Sequence, residues 1–128
     1  MNSSWKTFVT LDKGREYVAM LTYLPLKRYR KIPLFFRYTA RIQGQLRDTP
    51  GAVGYALRAQ IFTRQFWTLS VWDSDQALMD FVIKVPHGEA MKMIAPHMGE
   101  TNFARWKLLG SDFPPKWNDA IARMKMGA

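Results

Sequence analysis

The chain has 128 residues, 48% of them hydrophobic and 23% charged, which is typical of one folded globular domain. It lacks cysteine, which excludes disulfides, thiolate-bound zinc and iron–sulfur clusters. The formal net charge of +9 attracts anionic partners whatever the fold.

The sequence also bears on where the protein works in the cell. Residues 1–16 carry five charged side chains and no apolar run long enough for a signal peptide. No stretch reaches the roughly 20 apolar residues that a membrane-spanning helix needs. We therefore expect a cytoplasmic protein without a membrane span.

The first elements are a strand and a helix. Residues 17–24 are rich in strand formers and almost continuously apolar, which predicts a strand covered on both faces. Pro33 fits the first turn of a helix, because its missing N–H has no helical partner there. Large apolar residues then recur at positions 35, 38, 42 and 46, which predicts a helix packed on one face and ending near residues 48–51.

The next segment has strand periodicity. From Val53 to Phe62 apolar character alternates with a period of two, with positions 53, 55, 57, 59 and 61 expected on one face. Residues 63–65 form a short polar break, and residues 66–72 resume a strand enriched in Trp and Val. The short gap predicts an antiparallel hairpin.

The chain after residue 72 is expected to be helical up to residue 96 and then to form a strand. Asp73 or Ser74 is a good N-cap for a helix, which Pro86 should break or kink. Helical spacing resumes at His87 and ends at Pro96. Residues 103–109 read as a fourth strand, and residues 115–126 as an amphipathic C-terminal helix.

The order of these elements is strand, helix, strand, strand, helix, strand, with a helical tail. It predicts an α+β, ferredoxin-like βαββαβ fold: a four-stranded antiparallel sheet with helices on one face and an extra C-terminal helix. We expect a single domain over residues 1–128, with its core in 17–109 and its tail in 115–126.

Large apolar residues occupy both expected faces of the sheet. In residues 66–72, for example, Trp67, Leu69 and Val71 alternate with Phe66 and Trp72. Only one face has predicted helices from the core, so the other face needs a cover. A second copy of the sheet would provide it, which predicts a homodimer in the form of an α/β barrel.

One dense basic run, Lys27-Arg28-Tyr29-Arg30-Lys31, precedes the first helix. Such a run is usually a solvated loop that keeps a protein soluble. An anionic ligand, a membrane surface or nucleic acid are the alternatives. Nucleic acid is not favoured, because the aromatic RNA-binding motif of ferredoxin-like domains is missing and the run does not lie on the sheet.

Residues 66–90, FWTLSVWDSDQALMDFVIKVPHGEA, carry a family resemblance. The pattern is a strand ending in Trp, a helix start with an acid and Ser, Ala-Leu, and then Pro-His within the helix. It resembles the dimeric α/β barrel superfamily that includes antibiotic-biosynthesis monooxygenases, and more closely short bacterial proteins of unknown function similar to spheroidene monooxygenase. The resemblance implies cofactor-free oxidation of aromatic polyketides, haem-dependent reactions or simple ligand binding, and fold alone does not choose among them.

His87 lies on the predicted helical stripe of Ala90, Met91 and Ile94, a spacing that alone fits a buried structural histidine. The resemblance implies a functional role, because haem-using members of the superfamily carry an iron-ligating His on the corresponding helix. We consider two roles for His87: ligation of haem iron, if haem is bound, and acid–base catalysis.

Large side chains are expected to line a pocket between sheet and helices, where ligands sit in this fold. Trp72, just before the second helix, joins His87 as a candidate catalytic residue. The candidate ligand-binding residues are Arg105, Tyr55, Phe62, Met91 and Phe103. Arg105 suits a carboxylate or a haem propionate, whereas the aromatic residues and Met91 could equally fill the core.

These features together predict a function. We expect a monooxygenase-like protein that takes an apolar or aromatic small molecule into this pocket, either without a cofactor or with haem. The alternative is a non-catalytic binding protein for a hydrophobic metabolite or haem. With only two histidines, no cysteine and no Gly-rich phosphate loop, the sequence gives no support for a hydrolase triad or a nucleotide-binding fold.

Overall fold

A computed structural model of the chain describes residues 2–83 and 87–127, without the side chains of residues 87, 89, 90 and 127. Pro86, the predicted break in the second helical region, lies outside the described residues. The strands are β1 (Lys6–Thr7), β2 (Glu16–Pro25), β3 (Ala52–Gln60), β4 (Gln65–Trp72) and β5 (Asn102–Leu109). The α-helices are α1 (Ile32–Arg47), α2 (Asp75–Ile83), α3 (His87–Ile94) and α4 (Trp117–Gly127).

The strands form one antiparallel sheet in the order β1-β3-β4-β2-β5. Strands β2 to β5 reproduce the order expected of the βαββαβ pattern, so the α+β, ferredoxin-like prediction is confirmed. The predicted number of four strands is wrong, because the short β1 pairs with the edge of β3 through Lys6–Tyr55 and Thr7–Gly54. Two residues carry no periodic signal, and only the pairing itself reveals this strand.

Local signals set the helix starts. Pro33 lies in the first turn of α1, as its missing N–H allows. Ser74 caps α2, since its Oγ accepts a hydrogen bond of 3.2 Å from the backbone N–H of Ala77. The side chain of Gln76 donates to Asp80 Oδ1 at 2.7 Å, one turn further along α2.

Two details of the β3–β4 hairpin differ from the alternation predicted from sequence. The register shifts by one residue between Ala52 and Gly54, so Val53 packs on the face opposite to Tyr55. Ile61 and Phe62 leave the sheet, because residues 61–63 form a 3-10 turn that Arg64 closes with a φ of 57°. The predicted antiparallel hairpin itself is confirmed.

Helices α1, α2 and α3 lie on one face of the sheet. Residues that recur at helical spacing in α1 point at this face, since Phe35 and Leu46 are buried and Ile42 packs against the same core. The aromatic residue of β4 nearest α2, Trp72, packs against Phe81 with ring centroids 5.0 Å apart. This side of the sheet therefore has the helical cover that the sequence predicted.

The opposite face is covered by α4 of the same chain. Ala120 is fully buried and Met124 is 8% exposed, both against Leu21 and Leu69 of the sheet. Trp5 and Phe113 extend this cover toward the start of β2. The premise of the homodimer prediction, a face without a cover in the single chain, is therefore wrong, and the homodimer itself stays a prediction.

Within the part of the chain that the structure describes, no helix has both the length and the apolar character needed to cross a bilayer.

Candidate functional site

A cavity of about 290 Å³ lies between the sheet and the three helices on its first face. Its floor is formed by side chains of β2, β3 and β4, and its roof by α1, α2 and α3. The residues that line it include Thr22, Phe35, Tyr55, Thr68, Ser70, Trp72, Met91 and Phe103.

The floor carries hydroxyl groups in two adjacent rows. Ser70 of β4 lies between Tyr55 of β3 and Met20 of β2, and Thr68 lies beside Thr22 of β2. Directly opposed residues of an antiparallel pair have Cβ atoms roughly 4.5–5.5 Å apart. The hydroxyls of Ser70, Thr68 and Thr22 therefore form a small polar group within one apolar cavity.

Trp72 sets the direction of one of these hydroxyls. Its indole Nε1–H donates a hydrogen bond of 2.9 Å to Ser70 Oγ, and its side chain is 1% exposed. A serine hydroxyl has one donor and two acceptor positions. Because Ser70 accepts from Trp72 and donates to no described residue, its proton is available to an acceptor on a ligand.

Tyr55 supplies a second donor. Its side chain is 6% exposed and its hydroxyl makes no hydrogen bond to another described residue. Burial raises the pKa of the Tyr55 phenol, and the positive charge of Arg47 lowers it by a smaller amount. The phenol therefore stays protonated at neutral pH and can donate to a ligand oxygen.

Among the cavity-lining side chains that the structure describes, none carries a formal charge. Burying a charged ligand without a partner is costly, so a cavity of this kind favours a neutral one. The described residues also contain no group of three or more metal-ligating side chains. The described part of the cavity can hold an uncharged, mainly apolar molecule and hydrogen-bond to one of its oxygens.

Four of the residues predicted to bind or act on a ligand line the cavity: Trp72, Tyr55, Met91 and Phe103. Phe103 lies at the open side, where 62% of it is exposed. Their roles toward a ligand stay predictions.

The other predicted site residues lie elsewhere. Arg105 is not part of the cavity wall, and its Nη1 pairs with Asp75 Oδ1 at 3.4 Å, with both side chains about half exposed. Phe62 is 91% exposed in the turn after β3. The side chain of His87 lies outside the described residues, although its backbone begins α3. We therefore leave Phe62 and Arg105 out of the proposed site.

The three floor hydroxyls, of Thr22, Thr68 and Ser70, were not predicted from the sequence. Ser70 and Thr68 stand two and four residues before Trp72 in one strand, so period-two alternation places them on the face of Trp72. That signal was present in the sequence. Thr22 could not be found in this way, because it depends on the pairing of β2 with β4.

Residues 31–126 match the model of a protein family described as Domain of unknown function (DUF3291). The chain belongs to this family. The match covers three quarters of the sequence, including α1 to α3, α4 except its last residue, and all strands except β1 and β2. No curated protein shows significant similarity to the chain.

Solved structures share the fold of this DUF3291 protein. A candidate monooxygenase from Lactobacillus acidophilus NCFM superposes with a TM-score of 0.65 at 13% identity, over 83% of this chain and 51% of the other. A candidate antibiotic biosynthesis monooxygenase from Caulobacter crescentus CB15 gives 0.64 at 16% identity, over 73% and 91%. A conserved protein from Methanosarcina mazei Go1 gives 0.65 at 10% identity, over 73% and 94%.

The DUF3291 chain thus spans about half the length of the Lactobacillus protein and nearly all of the other two. At these identities the similarity shows a shared fold. It confirms that the fold is that of proteins named as monooxygenases of the antibiotic-biosynthesis type.

Proposed function

We propose that this protein binds an uncharged apolar or aromatic small molecule in the cavity and oxidises it as a monooxygenase. The observation that carries the proposal is the cavity lining, which is apolar and uncharged in its described part but has grouped hydroxyls on its floor. Sites for small organic ligands typically combine an apolar wall with a few polar groups that set orientation.

The cavity limits the size and shape of the ligand. Its volume of about 290 Å³ is just below the roughly 300–1,000 Å³ usual for such sites. Trp72 and Phe81 provide flat aromatic surfaces. Ser70 and Tyr55 each offer a proton, which suits a carbonyl or phenol oxygen. We therefore propose a compact aromatic ligand with a single oxygen substituent facing the sheet.

The proposed chemistry is the conversion of an activated CH2 group, next to aromatic rings, into a carbonyl. One atom of O2 enters the product and the other leaves as water, so the substrate itself supplies all four electrons. Loss of the first proton needs a base, and hydrogen bonds from Ser70 and Tyr55 to the substrate oxygen would stabilise the resulting enolate. We assign the base to His87, which helical spacing predicts on the face of Met91.

Haem fits the described residues poorly. Arg suits a propionate by bidentate hydrogen bonding, but the described wall contains no Lys or Arg, and Arg105, which the sequence suggested for this role, lies outside it. The proposed reaction is therefore cofactor-free. The closer resemblance to spheroidene monooxygenase stays a prediction.

A non-catalytic binding protein is the second candidate function. It is favoured by the same lining, because the described wall contains no group that is basic at neutral pH. The two functions share the binding step and differ only in turnover, so they can be separated by experiment.

Binding is tested with 2-naphthol, a neutral aromatic probe with a single hydroxyl, followed by its own fluorescence. Thr68→Trp places an indole on the cavity floor and should abolish binding. Met79→Trp adds the same indole to α2 at a site that is 49% exposed and outside the cavity wall, and should leave binding unchanged. Equal affinity of both variants would overturn the site.

Turnover is tested with anthrone, whose CH2 group lies between two aromatic rings, by measuring oxygen uptake and the formation of anthraquinone. We expect one O2 consumed per anthraquinone formed, and a loss of rate in His87→Ala without a change in 2-naphthol affinity. Binding without oxygen uptake would favour the non-catalytic function. A Soret shift on adding haem that His87→Ala abolishes would overturn the cofactor-free assignment.

A further inference from the structure

One end of the molecule is strongly basic. It consists of three segments, residues 26–37, 60–65 and 95–99, which together contain six Lys and Arg residues and no acid. The basic residues are Lys27, Arg28, Arg30, Lys31, Arg37 and Arg64. Glu100, directly after the third segment, is the one acid that adjoins them in sequence. We call this region the basic end.

Direct contacts hold the three segments together. The backbone N–H of Leu26 donates to the carbonyl of Arg64 at 2.8 Å, and that of Lys27 to the carbonyl of His97 at 2.9 Å. Arg64 Nε donates to the Leu26 carbonyl at 3.1 Å. The basic end is therefore one surface, where β2 ends and the β3–β4 hairpin turns.

Contacts of Tyr29 tie the basic run to the tip of the hairpin. The Tyr29 hydroxyl donates a hydrogen bond to the backbone carbonyl of Phe62. The guanidinium of Arg64 lies over the Tyr29 ring, 4.6 Å from its centroid. The first contact holds the basic run, and the second holds the Arg64 guanidinium, beside the turn that carries Phe62.

Large apolar side chains project from the same surface. Phe62 is 91% exposed, Tyr29 52%, Ile61 43% and Phe36 41%. Single exposed apolar residues are ordinary, but a group of them among cations indicates an interaction surface. The Phe36 ring lies 6.0 Å from that of Phe35, which lines the cavity, so apolar contacts continue from this surface to the cavity wall.

We infer that the basic end docks onto an anionic lipid bilayer, with Phe62 and Ile61 entering the interface and the surrounding Lys and Arg residues facing the lipid headgroups. Peripheral membrane binding commonly needs two signals, an apolar insertion and a basic patch, and both occur here. The inference is independent of what the cavity binds.

A bilayer explains the composition of this surface better than nucleic acid does. Phosphate contacts alone require cations, and single-stranded bases would need aromatic rings that lie flat as stacking platforms. Here one face of the Tyr29 ring is covered by Arg64, and Phe62 is a side chain at the tip of a turn. An apolar tip surrounded by cations matches the depth profile of an anionic membrane surface.

The test is sedimentation with large vesicles at 100 mM NaCl. The intact chain should bind vesicles of phosphatidylcholine and phosphatidylserine in a 3:1 ratio and should not bind pure phosphatidylcholine. Each cation near such a surface strengthens partitioning by about fivefold. Arg28→Glu/Arg30→Glu removes two cations and should therefore weaken binding by about 25-fold or more. Phe62→Ser should weaken it by about tenfold, and Phe62→Leu should restore it.

Lys6→Glu/Lys13→Glu is the matched control, because it changes the net charge by the same amount at exposed positions away from the basic end. It should bind within about twofold of the wild type. Circular dichroism melting confirms that each variant is folded.

Three outcomes would overturn the inference. One is equal binding to neutral vesicles, and another is an equal loss of binding in the control variant. The third is tighter binding to a 20-nucleotide oligouridine than to anionic vesicles, with no effect of Phe62→Ser, which would assign the surface to nucleic acid.

Discussion

The indole N–H of Trp72 and the hydroxyl of Ser70 are joined by a hydrogen bond of 2.9 Å on the floor of the cavity. Both residues belong to β4 and are two positions apart, so the pleat places them on the same face. The bond satisfies a buried donor and leaves the Ser70 hydroxyl without a described acceptor for its proton.

Ser70→Ala should lower the free energy of unfolding by about 1–3 kcal/mol, because it leaves the buried Trp72 N–H without an acceptor. The matched control is Thr68→Val, which preserves shape and removes a hydroxyl that bonds to no described residue, and it should cost less than about 1 kcal/mol. Urea unfolding measures both values. Equal losses in the two variants would show that the Trp72–Ser70 hydrogen bond does not contribute to the free energy of unfolding.

Two glycines near α1 should respond oppositely to alanine. Gly51 has a φ of 88°, and a Cβ there would lie 2.5 Å from Ala77 Cβ of α2. Gly51→Ala should therefore destabilise the protein by about 2–4 kcal/mol through backbone strain and steric overlap. Gly44 lies within α1 with no atom in reach of a Cβ, so Gly44→Ala should stabilise by about 0.5–1 kcal/mol. Thermal unfolding that moves both variants in one direction would contradict the prediction.

His97 reports the electrostatic field of the basic end. Loss of hydration lowers the pKa of His97 most. The positive charges of Lys31, Arg30, Lys27 and Arg28 lower this pKa further. At His97 the unfolded chain therefore binds a proton more readily than the folded chain. As the pH drops from about 6.5 through the pKa of His97 in the folded protein, the free energy of unfolding falls. Lys31→Glu should raise the pKa of His97 in an NMR titration.

The control for this titration is Lys13→Glu, which makes the same charge change at the other end of β2. It should leave the pKa of His97 unchanged. An equal rise in both variants would show that His97 senses the total charge of the protein and not the basic end.

The cover formed by α4 can be tested with two alanines two residues apart. Ala120 is fully buried against the sheet and Ala122 is exposed. Ala120→Asp buries a charge without a partner and should undock α4. The apolar face with Leu21 and Leu69 would then bind 8-anilinonaphthalene-1-sulfonate, and light scattering should show association.

Ala122→Asp should behave as the wild type in both measurements. Light scattering of the wild type also tests the homodimer prediction directly. Dye binding by Ala122→Asp equal to that by Ala120→Asp would contradict the assignment of α4 as the cover of this face.

The sequence by itself determined the order and type of the main elements. Signals that act within a few residues were sufficient: Pro33 at the start of α1, Ser74 at the start of α2, and period-two alternation in β4. These signals report local backbone preferences and the burial of one face, which are properties of neighbouring residues. Trp72, Tyr55, Met91 and Phe103 were predicted from residue type, as large side chains that could line a pocket between sheet and helices.

Only the tertiary structure decided which distant parts meet. The pairing of β1 with β3, the docking of α4 on the second face and the neighbours of Ser70 across the sheet all join residues far apart in sequence. The one-residue shift beside Val53 moves a side chain to the opposite face without any local signal in Ala52-Val53-Gly54. Arg105 has the right charge for an anionic ligand, but in the fold its guanidinium lies outside the cavity wall and pairs with Asp75 of α2.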